Sequence, residues 1–293
     1  MTLDQAVLDT GVVDLSATRS LGGRASRLAL YAGIAIVGGF VVVSVAAPWL
    51  PLADPYSVNY DAILNPPSSG HLFGTDDVGR DLFSRVVFGA RNDILLGFVG
   101  AYASLVIGVF AGTVAGYWGG WRETLIMRVV DTSFAFPFIV LVLVMVAIVG
   151  PGLLGVYIGV IVASWPLYAR LTHAEMRVLR EKDFMLATRT LGFSAMRTIV
   201  RHAIPNLLRP NIVVSCSDLI SNVLVFASLS YLGVGVQPPT PEWGAIIASG
   251  HTYLLTAWWI STMPGLVCVA FGVGVSLLGE GLADRWISSS TAV

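Results

Sequence analysis

Residues 132 to 169 contain no Asp, Glu, Lys or Arg, and this run of 38 constrains the chain more than any other feature. A stretch that apolar cannot face water. It is also too long for one bilayer crossing, which takes about 20 residues. Gly150-Pro151-Gly152 divides it, so the pattern predicts a helical hairpin with a tight turn at that point. Pro137 and Pro166 fall near the outer ends of the two helices, where neighbours can re-satisfy freed carbonyls. Four further runs behave similarly. They are Leu28 to about Leu50, Ile94 to about Tyr117, Pro210 to about Gly233 (broken only by Asp218), and Ala257 to about Leu278. Six crossings result. With 12% charged residues against about 25% in soluble domains, and 55% hydrophobic residues, a single water-soluble core is implausible. The fold class expected is an all-α polytopic membrane protein with six transmembrane helices, cytoplasmic N- and C-termini and a cytoplasmic helical loop.

The boundaries follow from charge. Residues 1–27 read as a cytoplasmic leader and 28–50 as an uncleaved first transmembrane helix, since Ala46-Ala47 is followed by Pro48 rather than a cleavage site. Residues 51–93 form an external segment rich in turn formers. In it Thr75 is expected to cap a surface helix with Val78, Leu82 and Val86 on its apolar face. Asp76 and Asp77 read as capping and solvated acids, because no histidine or third acid lies at metal-binding spacing. Residues 94–281 form the membrane core, including a cytoplasmic loop over 170–209 and an external loop over 233–256. Residues 282–293 are a cytoplasmic tail. This topology puts fourteen of the seventeen basic residues inside and leaves only Arg80, Arg85 and Arg91 outside.

Enzyme chemistry is poorly supplied. His71, His173, His202 and His251 form no close metal pattern and fall on opposite sides of the expected membrane. There is no phosphate-binding loop, nucleophile elbow or CxxC, so no catalytic, cofactor-binding or metal residue is assigned and the chain is read as a non-enzyme. Cys216 and Cys268 sit within apolar runs and resemble packing residues. Net charge of -1 gives no case for nucleic acid. Asp218, inside the fifth crossing, is the costly exception and a candidate path or gate residue. Asp131 is expected to pair with Arg128 at i to i+3.

The most polar stretch is 170 to 209, which holds eight of the basic residues. Its pattern predicts two short amphipathic helices joined at Leu191-Gly192-Phe193. Phe184, Ala187 and Leu191 share one face, Gly192 permits the reversal, and Met196, Ile199, Val200 and Ala203 form a second apolar stripe ending at Pro205. Arg189, Arg197 and Arg201 would meet headgroups or an acidic partner. This is the pattern of a surface moulded to another protein.

Four regions resemble one family: GTDDVGRDLFSRVVFGAR at 74 to 91, GYWGGWRE at 116 to 123 followed by MRVVDTSFAFP, LSYLGVGVQPPTPEWG at 229 to 244, and GEGLADRW near the end. The chain is similar to the C-type permease subunits of bacterial ABC importers for dipeptides, oligopeptides and nickel. The resemblance implies a multi-pass protein of the bacterial inner membrane that transports peptide and binds no cofactor itself, with ATP and Mg held by partner subunits. It implies as partners a second homologous permease subunit in a heterodimer, one or two ATP-binding subunits, an extracytoplasmic solute-binding protein, and membrane lipid. It also implies that Asp183, Phe184, Ala187, Thr188, Leu191, Gly192, His202 and Pro205 dock the ATPase through a coupling helix. Two positions depart from the family pattern. Leu186 replaces the glutamate of the usual Glu-Ala-Ala, and Phe226 stands where many relatives have glutamate. A nickel permease, to which Met145, Cys216, Met263 and Cys268 offer only scattered ligands, and a non-transporting scaffold are the competing readings.

Overall fold

A computed structural model describes residues 23–290, with side chains over 26–286 except at Arg189. The leader up to residue 22 lies outside the described residues. Ten α-helices and no strands occur among those described. They are α1 (Gly23–Ala46), α2 (Leu82–Trp118), α3 (Gly120–Phe134), α4 (Phe138–Val149), α5 (Leu153–Leu179), α6 (Asp183–Thr190), α7 (Ala195–Thr198), α8 (Ile204–Tyr231), α9 (Trp243–Gly250) and α10 (Trp259–Ser290).

Small residues decide how these helices meet. Where lipid surrounds a protein, backbones approach closely only at glycine-like positions. Gly108, Gly112 and Gly116 on α2 face Tyr168, Ala169 and Met176 on α5, and a Cβ at Gly112 would lie 2.5 Å from the Ala169 carbonyl oxygen. The two helices therefore run parallel in tight contact. α8 is antiparallel to both, with Gly97 against Leu219 and Val223, and Gly100 against Asn222. α1 lies antiparallel on α10, where Gly33 meets Leu278 and Gly281 meets Leu30. A buried cluster of Leu82, Val86, Trp243, Trp259, Ile260 and Phe271 fills the end where α2 begins.

Among the described residues, five helices are long and apolar enough to cross a membrane, and a sixth crossing exists if α3 and α4 count as one. That pair takes in the expected third span, the first half of the 132–169 run, together with the charged residues before it, and it is broken rather than straight. α3 stops at Phe134, Pro137 precedes α4, and the axes turn by 96°. Proline disfavours helical geometry in the residue before it, and the chain turns there. α4 has only 12 residues, about 18 Å. The Gly150-Pro151-Gly152 turn into α5 forms as expected, with Gly150 and Gly152 at φ 112° and 113°.

Several boundaries differ from the expected ones. No separate surface helix forms in the segment before residue 94. Thr75 is buried, with its hydroxyl donating to the Ala62 carbonyl, and Asp81 caps α2 by accepting from Ser84 N at 2.8 Å. The surface helix is instead the first turns of α2. Asp76 is neither solvated nor a cap. At 2% exposure it accepts from Arg80 Nε at 2.7 Å and lies 3.4 Å from Arg85 Nε. Asp131 pairs with Arg170 of α5 at 2.5 Å rather than with Arg128, because Arg170 also stacks on Phe134 at 4.0 Å. α10 continues helically through the expected tail to Ser290.

Candidate docking surface and translocation face

The polar stretch is built partly by its neighbours. Residues 170–179 are the last turns of α5, and residues from Ile204 onward are the foot of α8. Between them stand α6 and α7, as expected on either side of Gly192. α6 ends in a Schellman arrangement: Phe193 N donates to the Thr188 carbonyl at 3.0 Å while Gly192 takes φ 73°. Ser194 then caps α7 by accepting from Arg197 N at 3.4 Å. Pro205 offers no N–H to the Arg201 carbonyl, and the backbone over Ile199–Ala203 widens into a π turn before α8 starts.

The pair of helices has an inner and an outer side. Met185 is fully buried with Met176 and Leu179 of α5 and with Ala203 and Leu207 at the foot of α8. Thr188 lies on this inner side. Its hydroxyl donates to the Met185 carbonyl at 2.7 Å and receives Thr198 Oγ1 at 3.4 Å. It fastens α6 to α7 and is not part of the outer surface. The stripe expected over Met196 to Ala203 also divides, with Ile199 and Ala203 buried and Met196 and Val200 exposed. On the outer side stand Asp183, Phe184, Leu186, Ala187, Leu191 and Gly192. Leu191 is 71% exposed and Met196 68%, so nothing among the described residues covers them. His202 stacks on Phe193 at 6.1 Å, Arg197 lies over the same ring at 5.2 Å, and Pro205 is exposed beside them. With Lys182, Arg197 and Arg201 exposed around them, these are apolar knobs inside a cationic rim. Such a surface suits a groove with an acidic edge.

A second feature runs along α8. Asn211, Ser215, Asp218 and Asn222 recur at helical spacing and are all buried. Asp218 accepts from Tyr168 Oη at 2.8 Å and from Asn222 Nδ2 at 3.3 Å, while Thr172 donates to Asn211 Oδ1 at 3.2 Å. Asp218 thus braces α8 against α5. The neighbouring stripe of Ser217, Ser221 and Ser228 is exposed instead. Ser221 and Ser228 return their hydroxyls to the Ser217 and Leu224 carbonyls at 3.0 and 2.7 Å. Sequence reasoning singled out Asp218 for its charge and passed over these serines. Their spacing of four and seven was the available signal. Phe226, at the departure from the family pattern, is fully buried against Leu96, Val142 and Val160.

Residues 105–288 match the family model described as "Binding-protein-dependent transport system inner membrane component". The chain belongs to this family. It is a multi-pass inner-membrane component of such a transport system. Among curated relatives, this permease component is 37% identical over 244 residues to a probable D,D-dipeptide transport system permease protein of Escherichia coli K12, covering 83% of this chain and 82% of that one. It is 38% identical to a di/tripeptide transport system permease protein of Pseudomonas aeruginosa, with 83% and 82% covered. A putative peptide transport system permease protein of Brucella suis is 38% identical, with 93% and 90% covered. Among solved structures, it shares its fold with a chain of the inward-facing MetNI methionine ABC transporter. There the TM-score is 0.54 at 20% identity, over 70% of this chain and 95% of that chain.

Proposed function

We propose that this permease component forms one half of an ATP-driven peptide importer and carries di- to oligopeptides across the inner membrane. The observation that carries the reading is the outer side of α6 and α7, an uncovered apolar surface with a basic rim, in a family of transport components whose relatives above are named for peptides. Phe184, Ala187, Leu191 and the Gly192 turn are the contact with an ATP-hydrolysing subunit, with Asp183, His202 and Pro205 at its edges. Thr188 acts from inside by holding α6 on α7. Leu186 supplies an apolar contact where relatives place an acid.

ATP and Mg belong to one or two such partner subunits. A second, homologous permease subunit completes the path as a heterodimer, and an extracytoplasmic binding protein delivers the peptide. The serine stripe of α8 faces that path, since exposed hydroxyls at membrane depth favour water or a partner helix over lipid tails. Asp218 beside it holds α5 and α8 in register. When the ATPases close, α6 moves, α5 and α8 follow because Met185 is locked between them, and the path reverses its opening.

The test is reconstitution of the assembled transporter in vesicles with its binding protein. Di- and tripeptides should stimulate ATP hydrolysis and accumulate inside, and nickel should do neither. Nickel accumulation without peptide uptake overturns the substrate assignment. Peptide efflux independent of the binding protein overturns the direction.

A further inference from the structure

Two carboxyl groups meet in the buried end of the bundle with no cation between them. Asp93 of α2 and Glu242, the residue before α9, are both 0% exposed, and Asp93 is held beside Glu242 by the N–H of the next residue, Trp243. Glu242 uses both of its oxygens as acceptors. Its two oxygens each accept an N–H at 2.7 Å, from Gly244 and Ala245, and so cap α9. Asp93 accepts the Trp243 N–H through Oδ2 at 3.1 Å, which leaves Oδ1 buried with no donor. A buried acceptor facing a carboxylate is satisfied only if it carries a proton and donates it. Arg85, earlier on α2, is committed to Asp76 and to the Pro55 and Pro239 carbonyls. The other groups facing the pair are Tyr157 of α5, Cys268 of α10 and Ser230 of α8, none of them a cation.

We propose that Asp93 and Glu242 share one proton and that this proton is the latch holding α9 on α2. The seat it secures is close-fitting. Trp243 is fully buried, donates Nε1–H to the Val86 carbonyl at 3.0 Å and stands edge-on to Phe40 and Phe271. Asn92 donates to the Pro241 carbonyl at 3.0 Å, and Gly244 lies on the backbone of Ala227. Burial pushes the Glu242 carboxyl up, in the direction of retaining a proton. The sign is definite. The folded protein holds a proton that the unfolded chain releases near pH 4, so stability falls as pH rises toward the folded value. When the proton leaves to water, two negative charges occupy one dry site, and α9 with the 232–242 loop loosens from α2.

The assembled transporter in nanodiscs provides the test. Infrared spectra at neutral pH should show the carbonyl band of a protonated carboxylic acid, lost in Asp93→Asn. The amide in that variant donates to Glu242 and still accepts from Trp243. Between about pH 6 and about pH 9 the wild-type Tm should fall by about 3 °C more than that of Asp93→Asn. Absence of the acid band in the wild type overturns the proposal even if the variant fails to assemble. So does an equal pH slope in the two proteins.

Discussion

At one end of the bundle Asp76, Arg80 and Arg85 satisfy one another beneath two loops. At the other, Phe184, Leu191 and Met196 stand open beside Arg197 and Arg201. Both regions are polar in sequence and both follow a membrane crossing. They differ in where their partners are. Arg85 finds the Pro239 carbonyl 154 residues away in the same chain. Leu191 and Met196 find nothing in the described residues. The first region is complete without another protein, and the second has the form of half an interface.

Substitutions can break this contrast, and the largest effect belongs to the closed end. Asp76→Ala leaves Arg85 buried beside a lost partner, at a cost of about 3–5 kcal/mol. A drop of roughly 10 °C in Tm is expected for the purified chain, with or without ATPase. A shift under about 2 °C would mean that the network is not a fastening. At the open end the signs reverse. Gly192→Pro fixes φ near −65° where the chain needs 73°, so ATP-dependent uptake should fall at least about 10-fold and ATPase co-purification should weaken, while the Tm of the isolated chain stays near wild type. Normal transport by this variant removes the docking role of the turn. The smallest effect belongs to Asp131→Asn. Its pair with Arg170 is about half exposed, and such pairs contribute about 0.2–1 kcal/mol. A Tm change beyond about 3 °C would show that the α3–α5 junction is a structural fastening like the closed end.

The contrast also marks what could be read in advance. Periodicity and charge located the crossings, the Gly150 turn and the Gly192 reversal, because each depends on residues close in sequence. They misplaced the cap of α2 and the partner of Asp131. Thr75 has the chemistry of a cap, but Asn65 and Ala62 claim its hydroxyl. Arg128 has the right spacing to Asp131, but the fold brings Arg170 and its ring contact closer. Asp93 and Glu242 stand 149 residues apart in sequence in an apolar setting, and no local pattern announces their meeting. Within the polar stretch, the direction of each face was legible and the division of its residues was not. Thr188 and Ile199 point inward because α5 and α8 extend beneath them, and those extensions were hidden by the charges they carry. The charge-free run likewise predicted one helix from residue 132 to the Gly150 turn, whereas α4 starts only at Phe138, because apolar content does not register the turn at Pro137.

The glycine seam between α2 and α5 has a mechanical consequence. Two parallel helices locked at Gly108, Gly112 and Gly116 cannot slide past each other without lifting apart, so they transmit force as one strut. One end of that strut carries α6 through the short turn after Leu179, and the other end carries the Gly152 bend. A push delivered to Phe184 therefore has little slack to take up before it reaches the opposite side of the membrane. Any larger residue in the seam would add play to the linkage before it changed the shape of either end.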